Sequence, residues 1–364
     1  MKLALMGISN SGRTTIFNGL TGQDAATACY AGAETKPNVA VVKVPDHRID
    51  QLACVFKPKK ITYATVEYMD YLGLTKGDAE QNGKVIDFLK NADALVYVLR
   101  GFDDEHVAHP LGGVDPVRDF DTLETELLIF DLDLTEKRLL HMEEAARRGK
   151  PPHKDERSAV LACKETLEKG MPLRCMEFDE TQKLALKHLT FISSLPVMAV
   201  INVAECDLKS ERSSAWQEAI RERTGRFTLD PMTPIVLSGK SEMEIARLPR
   251  EEAAEFLKDL GVDVSARERM IKESYQMLGL ISFLTVGEDE VRAWTIRNGT
   301  EARTAAGKIH TDLERGFIRA EVVSYDDFIG VGSLAAARAK GLLRLEGKTY
   351  IVRDGDIIDF RFSV

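Results

Sequence analysis

The residues whose spacing points most directly to chemistry lie near the start of the chain, where Gly7 and Gly12 bracket four residues. This G-x-x-x-x-G spacing lets backbone N–H groups converge on a phosphate, while a following helix adds the partial positive charge of its N-terminus. The residues predicted to cradle phosphates are Asn10, Ser11, Gly12, Arg13, Thr14 and Thr15. The alternative is that the glycines only form a tight strand-to-helix turn. A P-loop is favoured because an apolar strand precedes the motif and a helix follows it.

Two side chains of this loop have distinct chemical roles. Thr14 stands where a hydroxyl holds Mg²⁺ in P-loop proteins. Arg13 stands where the motif has a lysine, whose compact ammonium reaches the β- and γ-phosphates as a point charge. The arginine keeps the positive charge but changes its shape, and we expect it to neutralise charge in the transition state of phosphoryl transfer.

A second motif, D-x-x-G at Asp70 and Gly73, follows the apolar segment 66–69. In nucleotide switches the acid of this motif holds Mg²⁺ through water, and the glycine amide senses the γ-phosphate. By itself the pattern is common and usually marks a turn. Its place at the end of a predicted strand, downstream of a P-loop, favours a metal role for Asp70 and a phosphate role for Gly73.

These motifs need a scaffold that brings several loops to one edge, and the hydrophobic pattern predicts one. Short apolar runs alternate with helical segments, which predicts an α/β fold with a parallel sheet and a ligand at the carboxyl ends of its strands. The runs cover residues 3–6, 39–44, 66–69, 94–99, 197–201 and 234–237. The last two predicted strands end at this edge, where the loops 202–205 and 238–240 follow them. Both loops are therefore candidates for recognising a nucleotide base.

Between the fourth and fifth of these strands the sequence becomes helical. Four apolar residues at spacings of four and three predict the seam of a helical hairpin: Leu123, Leu127, Phe130 and Leu134. Helical composition returns at 155–169 and at 179–193, after a Gly/Pro break at 149–152. Residues 251–278 also have the pattern of an amphipathic helix, and strands predominate from residue 281 onward, which predicts a second, α+β domain.

Composition narrows the class of protein. The formal net charge of −9 and the pI near 5.5 disfavour wholesale coating of nucleic acid. The five cysteines are scattered singly, which argues against a disulfide framework and against a zinc site. The first strand is too short for a signal peptide, and no apolar run reaches the roughly 18 residues of a membrane span. We therefore expect a cytoplasmic monomer with no membrane partner.

The sequence stretches most specific for a protein family lie in the C-terminal part of the chain. They include Glu290-Val-Arg-Ala-Trp-Thr-Ile296, Ala306-Gly-Lys-Ile-His-Thr-Asp312, Gly316-Phe-Ile-Arg-Ala-Glu-Val322 and Asp354-Gly-Asp356. With the motifs above, these stretches resemble the Obg-related, YchF-type P-loop ATPases over nearly the whole chain. The resemblance implies a GTPase-like P-loop nucleotide-binding domain at 1–120 and 194–278. It also implies a helical coiled-coil insert at 121–193 and a ubiquitin-like TGS domain at 279–364.

The same resemblance implies the ligands. The family favours ATP over GTP, so ATP or ADP with Mg²⁺ is expected, and GTP or GDP is the alternative. GTP-binding relatives use N-K-x-D, whose aspartate pairs with guanine, whereas Glu205 is one methylene too long for that pairing. Asn202 would meet a purine edge and Val203 would pack on its ring. Ser238 and Gly239 would complete the nucleotide site.

The resemblance also implies a catalytic role for a histidine. The family lacks the water-orienting glutamine of other GTPases, and a histidine after the fourth strand has been taken as its substitute. His109 falls on that position. From the residues alone, His109 would be interpreted as a surface-loop histidine.

Different functions remain open from the sequence. One is a slow ATPase, or GTPase, that acts as a switch on a ribosome- or RNA-associated partner, with catalytic Arg13 and His109 and with Mg²⁺ on Thr14 and Asp70. Another is an interaction protein whose nucleotide domain is vestigial, and a third is a folded relic without a ligand. The departures from the family, Arg13 and Glu34, concentrate where the phosphates would lie.

Overall fold

The chain forms two compact units in the computed structural model: residues 1–40 with 67–267, and residues 41–66 with 268–364. The residues that the structure describes are 1–25, 37–71, 73–74, 79–149, 153–226, 232–259, 262 and 264–363. Glu34 lies outside these ranges. Within the described part, no helix is long and apolar enough to cross a membrane.

The secondary-structure elements of the described residues are numbered in chain order. The strands are β1 Lys2–Met6, β2 Asn38–Lys43, β3 Lys60–Thr62, β4 Thr65–Asp70, β5 Ala94–Arg100, β6 Val197–Asn202, β7 Ile235–Leu237, β8 Leu280–Thr285, β9 Glu290–Arg297, β10 Phe317–Ser324, β11 Arg344–Glu346 and β12 Asp356–Phe362. The helices are α1 Arg13–Thr21, α2 His47–Phe56, α3 Ala79–Leu89, α4 Pro116–Arg147, α5 Lys154–Glu168, α6 Glu180–Leu186, α7 Glu211–Gly225, α8 Gly239–Ile245, α9 Arg250–Asp259, α10 Ala266–Met277, α11 Ala302–Ile309, α12 Thr311–Arg315, α13 Tyr325–Val331 and α14 Leu334–Ala339.

The first unit is built on a six-stranded sheet with the order β2-β4-β1-β5-β6-β7. The neighbours from β4 through β7 pair in parallel. All seven residues of β5 are buried, as expected for a strand that is covered on both faces. The predicted α/β fold is confirmed, and the loops after β1, β4, β5, β6 and β7 all leave from the carboxyl edge of the sheet.

The helical insert is present, but its apolar stripe does not serve only as the hairpin seam. Leu123 and Leu127 are buried in the core cluster of the sheet, and Phe130 packs against that cluster. Leu134 instead packs with the cluster shared by α4 and α5, which contains Val160. The first half of the stripe therefore anchors α4 to the sheet, and only its later part belongs to the hairpin.

A buried carboxylate anchors the end of the insert. Asp131 is fully buried on α4 and accepts the backbone N–H groups of Ile192, at 3.1 Å, and Ser193, at 2.7 Å. These two residues lie in a turn, because α6 ends at Leu186, whereas the sequence predicted a helix through residue 193. Burial raises the pKa of Asp131, while its hydrogen bonds from Ser193 oppose the rise.

The second unit contains a six-stranded mixed sheet with the order β11-β10-β12-β8-β9-β3. Its pairs β8–β9, β10–β11 and β10–β12 are antiparallel, whereas β12–β8 and β3–β9 are parallel. Its core combines alanines of α11 with aromatic and aliphatic residues of the strands, including Phe283, Ala305, Ala306, Val322 and Phe360.

Residues 41–66 group with this second unit, although the sequence placed them in the nucleotide-binding domain. Strand β3 pairs with β9, and Arg48 on α2 forms an ion pair with Asp354 at 2.8 Å. Phe56 stacks on Phe328 with ring centroids 5.5 Å apart. The predicted three-part division of the chain stays a prediction. In the structure, the 26-residue segment 41–66 belongs to the second unit and not to the first.

Candidate nucleotide site

The P-loop runs from the end of β1 to the start of α1 with the backbone shape that phosphate binding needs. Asn10 and Gly12 have left-handed backbone conformations, with φ of 66° and 85°. The Ser11 N–H donates to the Ile8 carbonyl at 3.2 Å, which closes the loop. No side chain among the described residues caps the N-terminus of α1. The first N–H groups of the helix are therefore not covered by a capping side chain, as an anion site requires.

Asp70, at the carboxyl end of β4, lies beside the P-loop. It is 4% exposed, and its Oδ2 accepts the Thr14 hydroxyl at 2.8 Å and the Asn38 side-chain N–H at 3.5 Å. Its Oδ1 is buried without a hydrogen-bond partner among the described residues. The structure thus brings together the two residues predicted to hold Mg²⁺, and oxygen donors of this kind are those that Mg²⁺ prefers.

The Arg13 side chain turns back along the P-loop. Its Nη1 donates to the Gly7 carbonyl at 3.3 Å, and its Nε lies 3.6 Å from Oδ1 of Asp70. Burial lowers the pKa of this guanidinium, and the charge of Asp70 opposes that shift. Arg13 is therefore close to the predicted site, but the contacts it makes are with the protein.

Gly73 packs directly on the P-loop. A Cβ at this position would lie 2.9 Å from the Ser9 nitrogen and 3.0 Å from Nη1 of Arg13. The next residue, Leu74, donates its N–H to the Gly7 carbonyl at 3.0 Å and pairs with Ile8 as a parallel bridge. A side chain at position 73 would push the two loops apart, which explains a glycine here.

Asn202 joins three loops at the carboxyl edge of the sheet. Its side-chain N–H donates to the Ser11 carbonyl at 3.1 Å, and its side-chain oxygen accepts the Gly239 N–H at 2.9 Å. A Cβ on Gly12 would lie 2.2 Å from this amide nitrogen. The family resemblance implies that Asn202 meets a purine edge, which stays a prediction. Its contacts in the structure hold the phosphate loop in place.

A cavity of about 250 Å³ lies next to these loops, where a base would be expected. Its lining includes Phe102, Val203, Glu205 and Lys240. The Glu205 carboxylate accepts the Ser241 hydroxyl at 2.9 Å, which fixes its position. Ser238 holds the start of α8, since its hydroxyl oxygen accepts the Ser241 N–H at 3.4 Å.

His109 is turned toward α4. Its side chain is 4% exposed, and its Nε2 lies 2.9 Å from Oδ2 of Asp119. Its Nδ1 accepts the Leu111 N–H at 3.1 Å, so the ring donates through Nε2. The interpretation of His109 as a surface histidine is therefore wrong. Its neighbour Ala108 contacts the P-loop, because its carbonyl accepts the Asn10 side-chain N–H at 3.2 Å.

Several residues of the site were missed by sequence reasoning. Asp119 orients His109, Ser241 holds Glu205, and Asn38 reaches Asp70. Arg100 is buried at the end of β5, donates to the Phe102 and Val107 carbonyls, and stacks on the Phe102 ring at 4.6 Å. A polar residue that ends an otherwise apolar strand is the pattern that could have identified Arg100.

The parallel sheet, the P-loop and the D-x-x-G loop define a P-loop protein of the GTPase fold. A family model described as a 50S ribosome-binding GTPase matches residues 2–140, and the model YchF-GTPase_C, described as a protein of unknown function, matches residues 280–363. Over 363 residues, 99% of this chain and 98% of the relative, the sequence is 38% identical to the Ribosome-binding ATPase YchF of Bacillus subtilis. The chain therefore belongs to the YchF family.

Two further relatives agree with this assignment. The Ribosome-binding ATPase YchF of Escherichia coli O157:H7 is 35% identical over 366 residues, which cover 100% of this chain and 99% of the relative. The solved structure of the Schizosaccharomyces pombe YchF GTPase superposes with a TM-score of 0.83 at 30% identity. It covers 99% of this chain and 97% of that structure.

Proposed function

We propose that this protein binds a purine nucleotide, prefers ATP or ADP over GTP or GDP, and hydrolyses the triphosphate slowly. The observation that carries the proposal is a P-loop that Asn202 holds in place beside a cavity. Glu205 lines this cavity, and Ser241 holds its carboxylate there. Backbone N–H groups of the loop and of the first turn of α1 would bind the phosphates. Thr14 and Asp70 would hold Mg²⁺, which neutralises phosphate charge when it is bound.

Slow hydrolysis follows from the contacts of the two groups that were assigned catalytic roles. Arg13 is engaged with Gly7 and Asp70, and His109 is engaged with Asp119 and Leu111. Each side chain would have to leave these contacts before it could reach a phosphate or a water molecule. The same contacts support the second candidate, an interaction protein whose nucleotide domain no longer turns over.

Titration calorimetry with ADP and GDP tests the base preference. We expect ADP to bind at least as tightly as GDP, because the Glu205 side chain is too long for the paired hydrogen bonds that guanine receives from an aspartate. Glu205→Asp should shift the preference toward GDP. Glu244→Asp, which shortens another acid of the same cavity, is the matched control and should leave the preference unchanged. A clear preference of the wild type for GDP would contradict the assignment.

We further propose that the nucleotide state controls association with a ribosome or another RNA-containing partner in the cytoplasm. The support is the full-length similarity of this chain to relatives that are named Ribosome-binding ATPase. Because the chain is acidic overall, any contact with RNA should be confined to a small basic area.

Co-sedimentation with ribosomes of the same cell tests the partner. We expect binding at low salt that weakens as salt is raised, since each phosphate contact releases a counterion, and that differs between ATP and ADP. Gly73→Ala should remove the difference between the nucleotides, because the added Cβ would displace the D-x-x-G loop from Ser9. An absence of co-sedimentation at low salt with every nucleotide would reject the RNA partner.

A further inference from the structure

The most unusual feature of the site is the charge that stands next to Asp70. The Arg13 Nε lies 3.6 Å from Oδ1 of Asp70, and neither atom has a hydrogen-bond partner among the described residues. Both side chains are largely buried, with 13% and 4% of their surface exposed. The carboxylate that would hold Mg²⁺ therefore already has a positive charge beside it.

The Arg13 guanidinium is confined to this place. Its Nη1 donates to the Gly7 carbonyl, and Gly73 lies so near that a Cβ there would come within 3.0 Å of the same nitrogen. A guanidinium is planar and keeps its charge, whereas a lysine ammonium is a compact, flexible point charge that can turn toward a phosphate. The arginine is thus better suited than a lysine to remain beside Asp70.

The oxygen donors themselves fit a divalent cation. The Thr14 hydroxyl and the Asp70 carboxylate are ligands of the kind that Mg²⁺ uses, directly or through water, together with nucleotide phosphates. What differs from a lysine-containing P-loop is the electrostatic field at the carboxylate. A fixed positive charge within 4 Å of Oδ1 opposes the approach of a second cation to the same oxygen.

We propose that Arg13 is a built-in counter-charge for Asp70, so that this protein binds nucleoside diphosphates without needing Mg²⁺ and binds the metal weakly. The proposal rests on the proposed nucleotide-binding function and specifies the metal requirement of that site. Arg13 acts here as a positioning residue that keeps a positive charge beside the Asp70 carboxylate.

The test is calorimetric titration of ADP into the full-length protein with excess Mg²⁺ and with EDTA. We expect the affinity of the wild type to change by less than about threefold between the two conditions, and that of Arg13→Lys to fall by about tenfold or more in EDTA. Arg157→Lys, which makes the same exchange at an exposed position on α5, should behave like the wild type. Melting without nucleotide verifies that each variant is folded.

A second measurement uses Mn²⁺ as a spectroscopic substitute for Mg²⁺, with electron paramagnetic resonance to determine the bound metal in the presence of ADP. The wild type should bind Mn²⁺ about tenfold more weakly than Arg13→Lys. If that variant does not fold, the wild-type titrations still decide, because a loss of more than about tenfold in EDTA overturns the proposal. Equal Mn²⁺ affinities also overturn it. An absence of ADP binding in both conditions would instead contradict the nucleotide-binding function itself.

Discussion

Replacing Gly12 with alanine is expected to weaken ADP binding by about 100-fold or more. The backbone there has a φ of 85°, and the new Cβ would lie 2.2 Å from the Asn202 amide nitrogen. Asn202 cannot move aside without losing its hydrogen bonds to Ser11 and Gly239. Strain of about 1–3 kcal/mol and a clash of similar size would be relieved only if the P-loop left its phosphate-binding shape.

Gly22→Ala is the matched control at the other end of the same helix. Gly22 also has a left-handed conformation, with φ of 69°, but no atom of a described residue lies within 4 Å of its Cβ position. It should lower the free energy of unfolding by about 1 kcal/mol and leave ADP affinity unchanged. Calorimetry with ADP measures the affinities of both variants. Wild-type affinity in Gly12→Ala would refute the role assigned to the Asn202 contact.

Asp131→Ala is expected to lower the free energy of unfolding by about 2–5 kcal/mol, because it leaves the buried N–H groups of Ile192 and Ser193 without an acceptor. Asp133→Ala, two residues along α4, removes an exposed ion pair with Lys137 and should cost less than about 0.5 kcal/mol. Chemical denaturation followed by circular dichroism measures both variants. Similar losses of unfolding free energy in the two variants would show that the buried hydrogen bonds of Asp131 contribute no more to stability than an exposed ion pair.

The effect of Asp131 should also depend on pH. Burial raises its pKa above the ordinary value of 3.8, so the folded carboxyl keeps its proton at a pH where the unfolded one has released it. As the pH rises from 3.8 toward the folded pKa, this titration lowers the stability of the wild type. The difference in unfolding free energy between wild type and Asp131→Ala should therefore be largest in acid and smaller at neutral pH. A difference that grows as the pH rises through this range would contradict the assigned pKa direction.

The fold of the first unit could be predicted because its determinants are local. Each buried parallel strand is a short apolar run, and the P-loop and D-x-x-G spacings place two loops at one edge of the sheet. The limits appear where a contact joins distant residues. A three-residue strand such as β3 has no detectable period, so its pairing with β9 could not be foreseen.

The side chains of the site show the same limit. Spacing identified Arg13, and the family resemblance pointed to His109 and Asn202, but neither could indicate which way each side chain points. The His109 side chain is buried, and its Nε2–H donates a hydrogen bond to Asp119, ten residues later. Arg13 lies beside Asp70, which is more than 50 residues away in sequence and supplies the opposite charge.

The second unit is built from two segments that lie far apart in the sequence, and this affects how the chain folds as it is synthesised. Residues 41–66 are made early, but the rest of their unit begins only at residue 268, about 200 residues later. At typical elongation rates of 5–20 residues per second, α2 and β3 would wait roughly 10–40 s for the strand and helix against which they pack. During that interval Ile61 and Phe56 have no partner from β9 or α13. The emerging chain therefore carries an early segment that is exposed to misassembly or to capture by a chaperone until synthesis is nearly complete.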